Sequence, residues 1–336
     1  MIIKTLFILM APVIFYLINK LLAQVNFLVE DVNKSNHKRI FSIKNKKIQS
    51  GGLFLLFSFL LFFFNENIYL SISLTLIFIL GVLSDIDYVS SPIIRFLFQL
   101  LVITFLVIST QIFVENTRIE ILDNFLENKN FKFIFTTSCF LVLINGCNFI
   151  DGANNILIGY FLIVSVCILI VTNYLQINLD LYYLIITLLI LLIFNFFSKI
   201  IMGDSGAYLV GLLFGYLAIN LSNNNISISP IYVLNLLWYP AFENLFSILR
   251  KIKKKISASM ADNDHLHHLI YRKLSKMLKK NKFSNSLTGI IINFFNLIGL
   301  TISSIVHNHS FYLSVILIFN ITVYTSVYYS LSRKRY

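Results

Sequence analysis

Charge is scarce in this sequence: 12% of its 336 residues are Asp, Glu, Lys or Arg, about half of what a soluble domain carries. Proline is nearly absent, with four residues, and tryptophan occurs once. So little charge excludes a soluble fold with a polar surface. An apolar content of 57% and a mean hydropathy of +0.81 place the chain in a lipid bilayer. Cysteine is scarce too. Cys139, Cys147 and Cys167 are odd in number, lack pairable spacing and lie in apolar surroundings. That excludes a disulfide framework and a CxxC metal site and leaves three small buried hydrophobes. There is no repeat at a fixed period and no stretch that reads as a soluble domain.

What is present is a series of apolar runs. A span needs roughly 17–25 apolar residues, and on that measure the chain reads as an all-α polytopic membrane protein with about eleven transmembrane helices. They fall near 2–28, 51–64 (short), 68–84, 93–114, 132–148, 155–174, 179–198, 206–221, 228–249, 285–306 and 310–331. The first run is too long for a signal-peptide core and has no small-residue cleavage pattern, so it is expected to stay as a span. The whole of 1–336 reads as one integral membrane domain.

The formal net charge of +12 would suggest nucleic acid in a soluble chain, but its distribution gives another reason. Of the 27 Lys and Arg residues, 22 fall in one set of alternate loops, 30–50, 85–95, 149–154, 199–205 and 250–283, and the tail 332–336. Positive loops mark the cytoplasmic side. The N-terminus is therefore expected outside and the C-terminus inside, with the lipid bilayer as partner and no nucleic acid.

The unusual polar clusters all lie on that cytoplasmic face. Asp85 and Asp87 follow the third span, and Arg95 and Gln99 open the fourth. "NGCNFIDGANN" ends the fifth with Asn148 and Asp151, "KIIMGDSG" brings Asp204, and Glu243 sits in the inner half of the ninth. "DHLHH" adds His265, His267 and His268. At helical spacing His265 and His268 share a face and His267 turns elsewhere. Ser205 is a candidate cap for the following span. Gly203 and Gly206 read as room for backbone to approach a bulky anion.

Acidic side chains at membrane depth are costly, so they pair or serve a function. Carboxylates and imidazoles beside basic loops suit a divalent cation that handles phosphates. Mg²⁺ takes one or two carboxylates with phosphate oxygens and water, whereas zinc wants a closed His/Cys set that the distant cysteines do not supply. A transporter or flippase for a charged lipid or sugar also wants intramembrane acids. It would place them near the bilayer midplane, where only Glu243 is a candidate.

Taken in order from about residue 31 to 275, with "NFIDGANN", "MGDSG" and "DHLHHLIYR" as the most specific parts, these segments resemble the polyprenyl-phosphate N-acetylhexosamine-1-phosphate transferases. These are the membrane enzymes of glycosyl transferase family 4, related to the phospho-N-acetylmuramoyl-pentapeptide transferases. The resemblance implies transfer of a sugar-1-phosphate from a UDP-N-acetylhexosamine to undecaprenyl phosphate, with UMP released at the cytoplasmic face of the bacterial inner membrane. It implies Asp204 as the Mg²⁺ ligand (Mn²⁺ being the alternative ion) and Asp85 as the acid that deprotonates or attacks at the lipid phosphate. Asn148 and Asp151 would stand in the nucleotide-sugar site, with Asp87 near the acid pair. His265, His267 and His268 would contact the diphosphate, and Glu243 stands where many relatives carry Asp. The "HLHH" pattern looks like the N-acetylglucosamine branch, which starts an O-antigen or teichoic-acid-like glycan, and a homodimer is in keeping with the family. Three departures stand out: Ser84 replaces the first acid of the family's Asp-Asp pair, Asn154 replaces the second Asp of its DGxDG pattern, and no proline precedes Gly51 and Gly52.

Overall fold

A computed structural model describes residues 2–29, 48–63, 67–173, 179–255, 257, 264–279 and 283–333. Most of the basic loop expected at 30–50, and residues 256, 258–263 and 280–282 of the loop expected at 250–283, lie outside the described residues. Among those described the chain is helical throughout: α1 (Ile2–Val25), α2 (Gly51–Phe63), α3 (Ile68–Asp85), α4 (Pro92–Thr110), α5 (Glu120–Leu126), α6 (Lys129–Ile150), α7 (Ile156–Asn173), α8 (Leu179–Phe196), α9 (Gly203–Asn224), α10 (Pro230–Lys253), α11 (Leu266–Met277), α12 (Ser284–Ile305) and α13 (Ser310–Arg333). The only β-type pairings among these residues are isolated bridges of Ile48 to Val29 and to Ile200.

Each of the eleven apolar runs coincides with a helix, and their starts are written in the sequence. The side chains of Asn67 and Asn128 each accept two backbone N–H bonds at the starts of α3 and α6. Ser229 caps α10 ahead of Pro230, a residue suited to the first turn because its missing N–H would have had no partner there. Among the described residues six helices, α3, α4, α6, α9, α12 and α13, are long and apolar enough to cross a membrane. Apolar stretches at Leu9–Val25, Gly51–Leu61, Ile156–Thr172 and Leu181–Phe196 are shorter. Two helices fall where the sequence suggested loops. The first, α5, is a seven-residue turn between α4 and α6. The second, α11, is amphipathic and polar on average, so hydropathy alone does not register it.

The two ends of the bundle are stitched differently. At one end Arg118 donates to Ile226 O (2.8 Å), Asn308 O (3.1 Å) and Ser310 Oγ (3.4 Å). Ser229 and Ser310 hydroxyls meet at 2.8 Å, and Asn223 donates to Phe113 O. This gathers the connections following α4, α9 and α12. The other end holds the close of α3 and α6 and the starts of α4 and α9, where the acidic motifs lie. The alternation of loops read from charge therefore agrees with which connections lie together.

Helix α9 is the axis of the bundle, with 78% of its apolar stretch buried against 17% for α13. It packs on α2, α3 and α6. Without a hydrophobic driving force in lipid, such contacts rely on close backbone approach through small residues. Gly81 shows how close: a Cβ added there would lie 2.2 Å from Ser205 Cα, a backbone atom that cannot swing away. Replacing Gly81 by Val is expected to force α3 off α9. The check is the yield of monodisperse protein after detergent extraction, which should fall severely relative to wild type.

Candidate active site

The start of α9 leaves N–H groups with no partner inside the helix. The residue before it, Met202, supplies no side-chain cap. The cap comes instead from α3: Asp85 Oδ1 accepts the Asp204 N–H at 2.8 Å and Oδ2 accepts the Ser205 N–H at 3.1 Å. Asp151 joins from the end of α6, its Oδ2 accepting the Gly203 N–H at 3.1 Å. Ser205, expected to cap this helix, is buried within its first turn. A serine there is already past the cap position, and a carboxylate from another helix takes that work.

Gly203 stands in left-handed backbone at φ +70°, and a Cβ on it would fall 2.7 Å from Asp85 Oδ2. The anion it makes room for is therefore the protein's own Asp85. Gly206, likewise read as room for an anion, lies against Met202 and the backbone N of Gly52, so its smallness serves the packing of α2 on α9.

With Asp85 and Asp151 holding backbone, Asp204 is the carboxylate whose side chain is set among other side chains. From its loop it looks unpaired in sequence, but the fold surrounds it with donors. Asn148 Nδ2 reaches its Oδ1 at 2.7 Å. Its Oδ2 receives the Ser84 hydroxyl (2.5 Å), an Arg95 guanidinium nitrogen (2.9 Å) and the Tyr208 hydroxyl (3.3 Å). The same Arg95 nitrogen also donates to Ser84 Oγ at 2.9 Å. Arg95, Ser84 and Tyr208 were not among the expected site residues. Arg95, the lone basic residue in the loop that carries Asp85, stood among the polar clusters of the sequence without a site role. Asp87 is exposed in left-handed backbone at φ +61° and makes none of the contacts that hold Asp85.

Beside this group lies the histidine cluster. Glu243 is fully buried, with Oε1 2.9 Å from His265 Nδ1 and Oε2 accepting from Tyr324 OH at 2.5 Å. The three imidazoles sit together, with ring centres 4.3 Å apart for His267 and His268 and 5.5 Å for His265 and His267. His267 does not turn elsewhere. His265 precedes α11 in extended backbone, so helical spacing does not govern it and its ring stacks on that of His267. Burial, followed by the charges of His268, His265 and Arg250, pushes the pKa of His267 well below the ordinary imidazole value, so it is neutral at physiological pH.

The last turn of α6 and the turn after it join the two groups. Asn148 bonds Asp204, Phe149 lies 5.2 Å from the His265 ring, and Asp151 holds Gly203. A Cβ on Gly152 would fall 2.0 Å from His267 Nε2. Asn154, the departure from DGxDG, points into the scaffold instead. Its backbone N–H donates to Asn285 Oδ1 and its side-chain Oδ1 accepts from Asn285 Nδ2 (3.1 Å each), while its Nδ2 donates to Ser198 Oγ at 2.6 Å, tying α12 and the end of α8 to this turn. An amide can both donate and accept there, which an ionised Asp cannot.

Among the described residues no group of three or more His, Cys, Asp and Glu side chains is placed to hold a metal ion, so these residues form no closed zinc-type cage. A hard cation that takes one or two carboxylates and fills its remaining positions with phosphate and water fits the oxygen-rich start of α9. Asp204 is the carboxylate there not committed to backbone. The three cysteines are free; Cys147 and Cys167 are buried as expected, whereas Cys139 is exposed.

Residues 67–222, just under half of the chain, match the family described as glycosyl transferase family 4. A probable undecaprenyl-phosphate N-acetylglucosaminyl 1-phosphate transferase of Bacillus subtilis is 27% identical over 57% of this chain and 55% of its own length. An undecaprenyl-phosphate alpha-N-acetylglucosaminyl 1-phosphate transferase of Thermotoga maritima is 23% identical over 50% and 51%. One of the same description from Salmonella typhi is 31% identical over 22% and 20%. The chain thus spans about half the length, or less, of the curated relatives it matches. The match over residues 67–222 is to the family that the motifs resemble.

Two outcomes are expected. Gly203→Ala should cost about 1–3 kcal/mol from left-handed backbone alone and displace Asp85, so turnover should fall at least a hundredfold while the detergent-extracted protein melts at lower temperature. Because His267 binds its proton more weakly folded than unfolded, stability should decline as pH falls below about 6.5, the ordinary imidazole value. Melting curves between pH 7.5 and 5 check this, and His267→Gln should flatten the decline.

Proposed function

We propose that this chain, a glycosyl transferase family 4 sequence over residues 67–222, transfers N-acetylglucosamine-1-phosphate from a UDP-sugar to undecaprenyl phosphate. UMP leaves, and the lipid-linked sugar starts a cell-surface glycan of the O-antigen or teichoic-acid type. The chain would cross the bacterial inner membrane about eleven times, N-terminus outside, with the site on the cytoplasmic face. The names of its relatives support the acceptor and the sugar. The observation that carries the reading is the meeting of Asp85, Asp151, Asn148 and Asp204 at one helix start, with the histidine cluster one turn away.

Asp204 would hold Mg²⁺, whose chemistry when bound is to neutralise charge on phosphate oxygens. The chain's own groups do the rest. An oxygen of the lipid phosphate forms a bond to the β-phosphorus of the UDP-sugar as the bond from that phosphorus to the bridging oxygen breaks, and UMP carries that oxygen away. The lipid phosphate already titrates near pH 6, so it needs little help to ionise. This favours direct attack over a covalent intermediate on Asp85, whose two oxygens already hold the start of α9. Arg95 and the three histidines supply donors for the anionic groups, and the work is positioning and charge neutralisation. Asp204 and Arg95 sit at helix ends, where an acceptor with its tail in lipid meets a water-borne nucleotide. A transporter would instead gather its acids near the midplane.

The test is UMP release by purified detergent-solubilised protein given undecaprenyl phosphate, Mg²⁺ and a panel of UDP-N-acetyl sugars. Release is expected to require both lipid and cation, to be greatest with UDP-N-acetylglucosamine, and to fall at least a hundredfold in Asp204→Ala and Asp151→Asn. No release with any sugar from folded protein would overturn the reading.

A further inference from the structure

Helix α13 lies outside the segment that matches the family and turns most of its surface outward, yet Leu313, Asn320, Tyr324 and Tyr328 are buried. Tyr324 enters a box of rings from α10, with centroids at 5.0 Å for Phe242, 5.5 Å for Phe246, 6.3 Å for Tyr239 and 6.5 Å for Trp238. Its hydroxyl ends on Glu243 Oε2 at 2.5 Å. Glu243 has no exposure to solvent, and a carboxylate so placed is costly unless its oxygens are met. Oε1 is met by His265 Nδ1 at 2.9 Å. Tyr324, Glu243 and His265 thus form one line from the C-terminal helix to the histidine cluster.

The physical sense of that line is rotational. A glutamate has three torsions, and one bond to an imidazole leaves the carboxylate free to swivel and carry the ring with it. A tyrosine clamped by four rings cannot move its hydroxyl, so the bond to Oε2 fixes the carboxylate plane and, through Oε1, the orientation of His265. The Phe149 ring, centred 5.2 Å away and tilted, and the His267 ring, stacked at 5.5 Å, pack against the same imidazole. Nδ1 is committed to Glu243, which leaves Nε2 as the ring nitrogen for a ligand.

We infer that Tyr324 is a positioning residue: acting through Glu243, it orients His265 so that Nε2 meets the diphosphate of the nucleotide sugar. This rests on the function proposed above. The alternative role is stability alone, in which Tyr324 only satisfies a buried carboxylate and the orientation of His265 does not depend on it.

The experiment uses full-length detergent-solubilised protein as wild type, Tyr324→Phe, Glu243→Gln and the double variant. The first readout is mass-spectrometric labelling of histidines by diethyl pyrocarbonate, which acylates a free imidazole nitrogen. His265 labelling should change at least threefold in both single variants, while exposed His309 stays as in wild type. The second is steady-state UMP release. Loss of a hydrogen bond to a charged group reaches tenfold or more, and because Tyr324 acts at one remove its loss should be smaller. Tyr324→Phe should lower kcat/KM about fivefold, chiefly through KM for the UDP-sugar, and should add nothing further in the Glu243→Gln background, as expected of residues acting in one line. Unchanged His265 labelling, or losses that multiply in the double variant, would overturn the inference. Should Tyr324→Phe fail to fold, labelling of Glu243→Gln still decides whether the carboxylate orients His265, and no change there overturns the line. Absence of turnover in wild type would instead overturn the proposed function, with the labelling still reporting on Tyr324 and His265.

Discussion

The bonds from Asp85 to the first two N–H groups of α9 after Gly203 are the interaction on which the candidate site depends. A helix that begins inside a bundle must have its leading donors met, and here no residue of its own does so. Drawing that partner from α3 locks α3 to α9 at the point where Gly81 lets their backbones touch. It also requires the turn into α9 to accept a carboxylate against its backbone, which only a residue without a Cβ in left-handed conformation can do. Asp85, Gly203 and Gly81 are therefore one device. Its result is that Asp204, next in the chain, is delivered at a fixed place with its side chain among those of Asn148, Ser84, Arg95 and Tyr208.

Three carboxylates so close would repel each other in the absence of compensation. The fold distributes the compensation by kind. Asp85 and Asp151 are met by backbone N–H groups at the positive end of a helix, whereas Asp204 is met by side chains from α3, α4, α6 and α9 itself. The end of α6 and the turn following it extend the same order to the histidines, since Asn148, Phe149, Asp151 and Gly152 meet Asp204, His265, Gly203 and His267 in that order. A shift of that turn would disturb both halves of the site together.

The departures from the family pattern have local reasons. Ser84 stands where a second acid would lie against Asp204 Oδ2; as a hydroxyl it donates to that oxygen and accepts from Arg95. Asn154 accepts from Asn285 Nδ2 and donates through its own Nδ2 to Ser198 Oγ, which makes it part of the seam of α12 and the end of α8. Neither replacement removes a carboxylate that the rest of the site leans on.

Much of this was legible in one dimension. Hydropathy placed a helix under every apolar run, because lipid demands a long apolar segment with its backbone satisfied internally. The charge bias of alternate loops assigned the acidic motifs to one face, and the structure brings Asp85, Asn148, Asp151 and Asp204 together there. What periodicity and turn chemistry misjudged were matters of partner and direction. They gave the cap of α9 to Ser205, the room at Gly203 to a foreign anion, and to His267 a direction away from the face shared by His265 and His268. The first two are decided by contacts between residues far apart in the chain, Asp85 with Asp204 and Ser205, which local patterns do not encode, and the third by His265 standing before α11 in extended backbone. The sequence by itself determined the helices, the sharing of loops between two faces and the kinds of side chain at the site. Only the tertiary structure decided which carboxylates hold backbone and which is presented, because that depends on how closely helices approach and what each brings to the meeting.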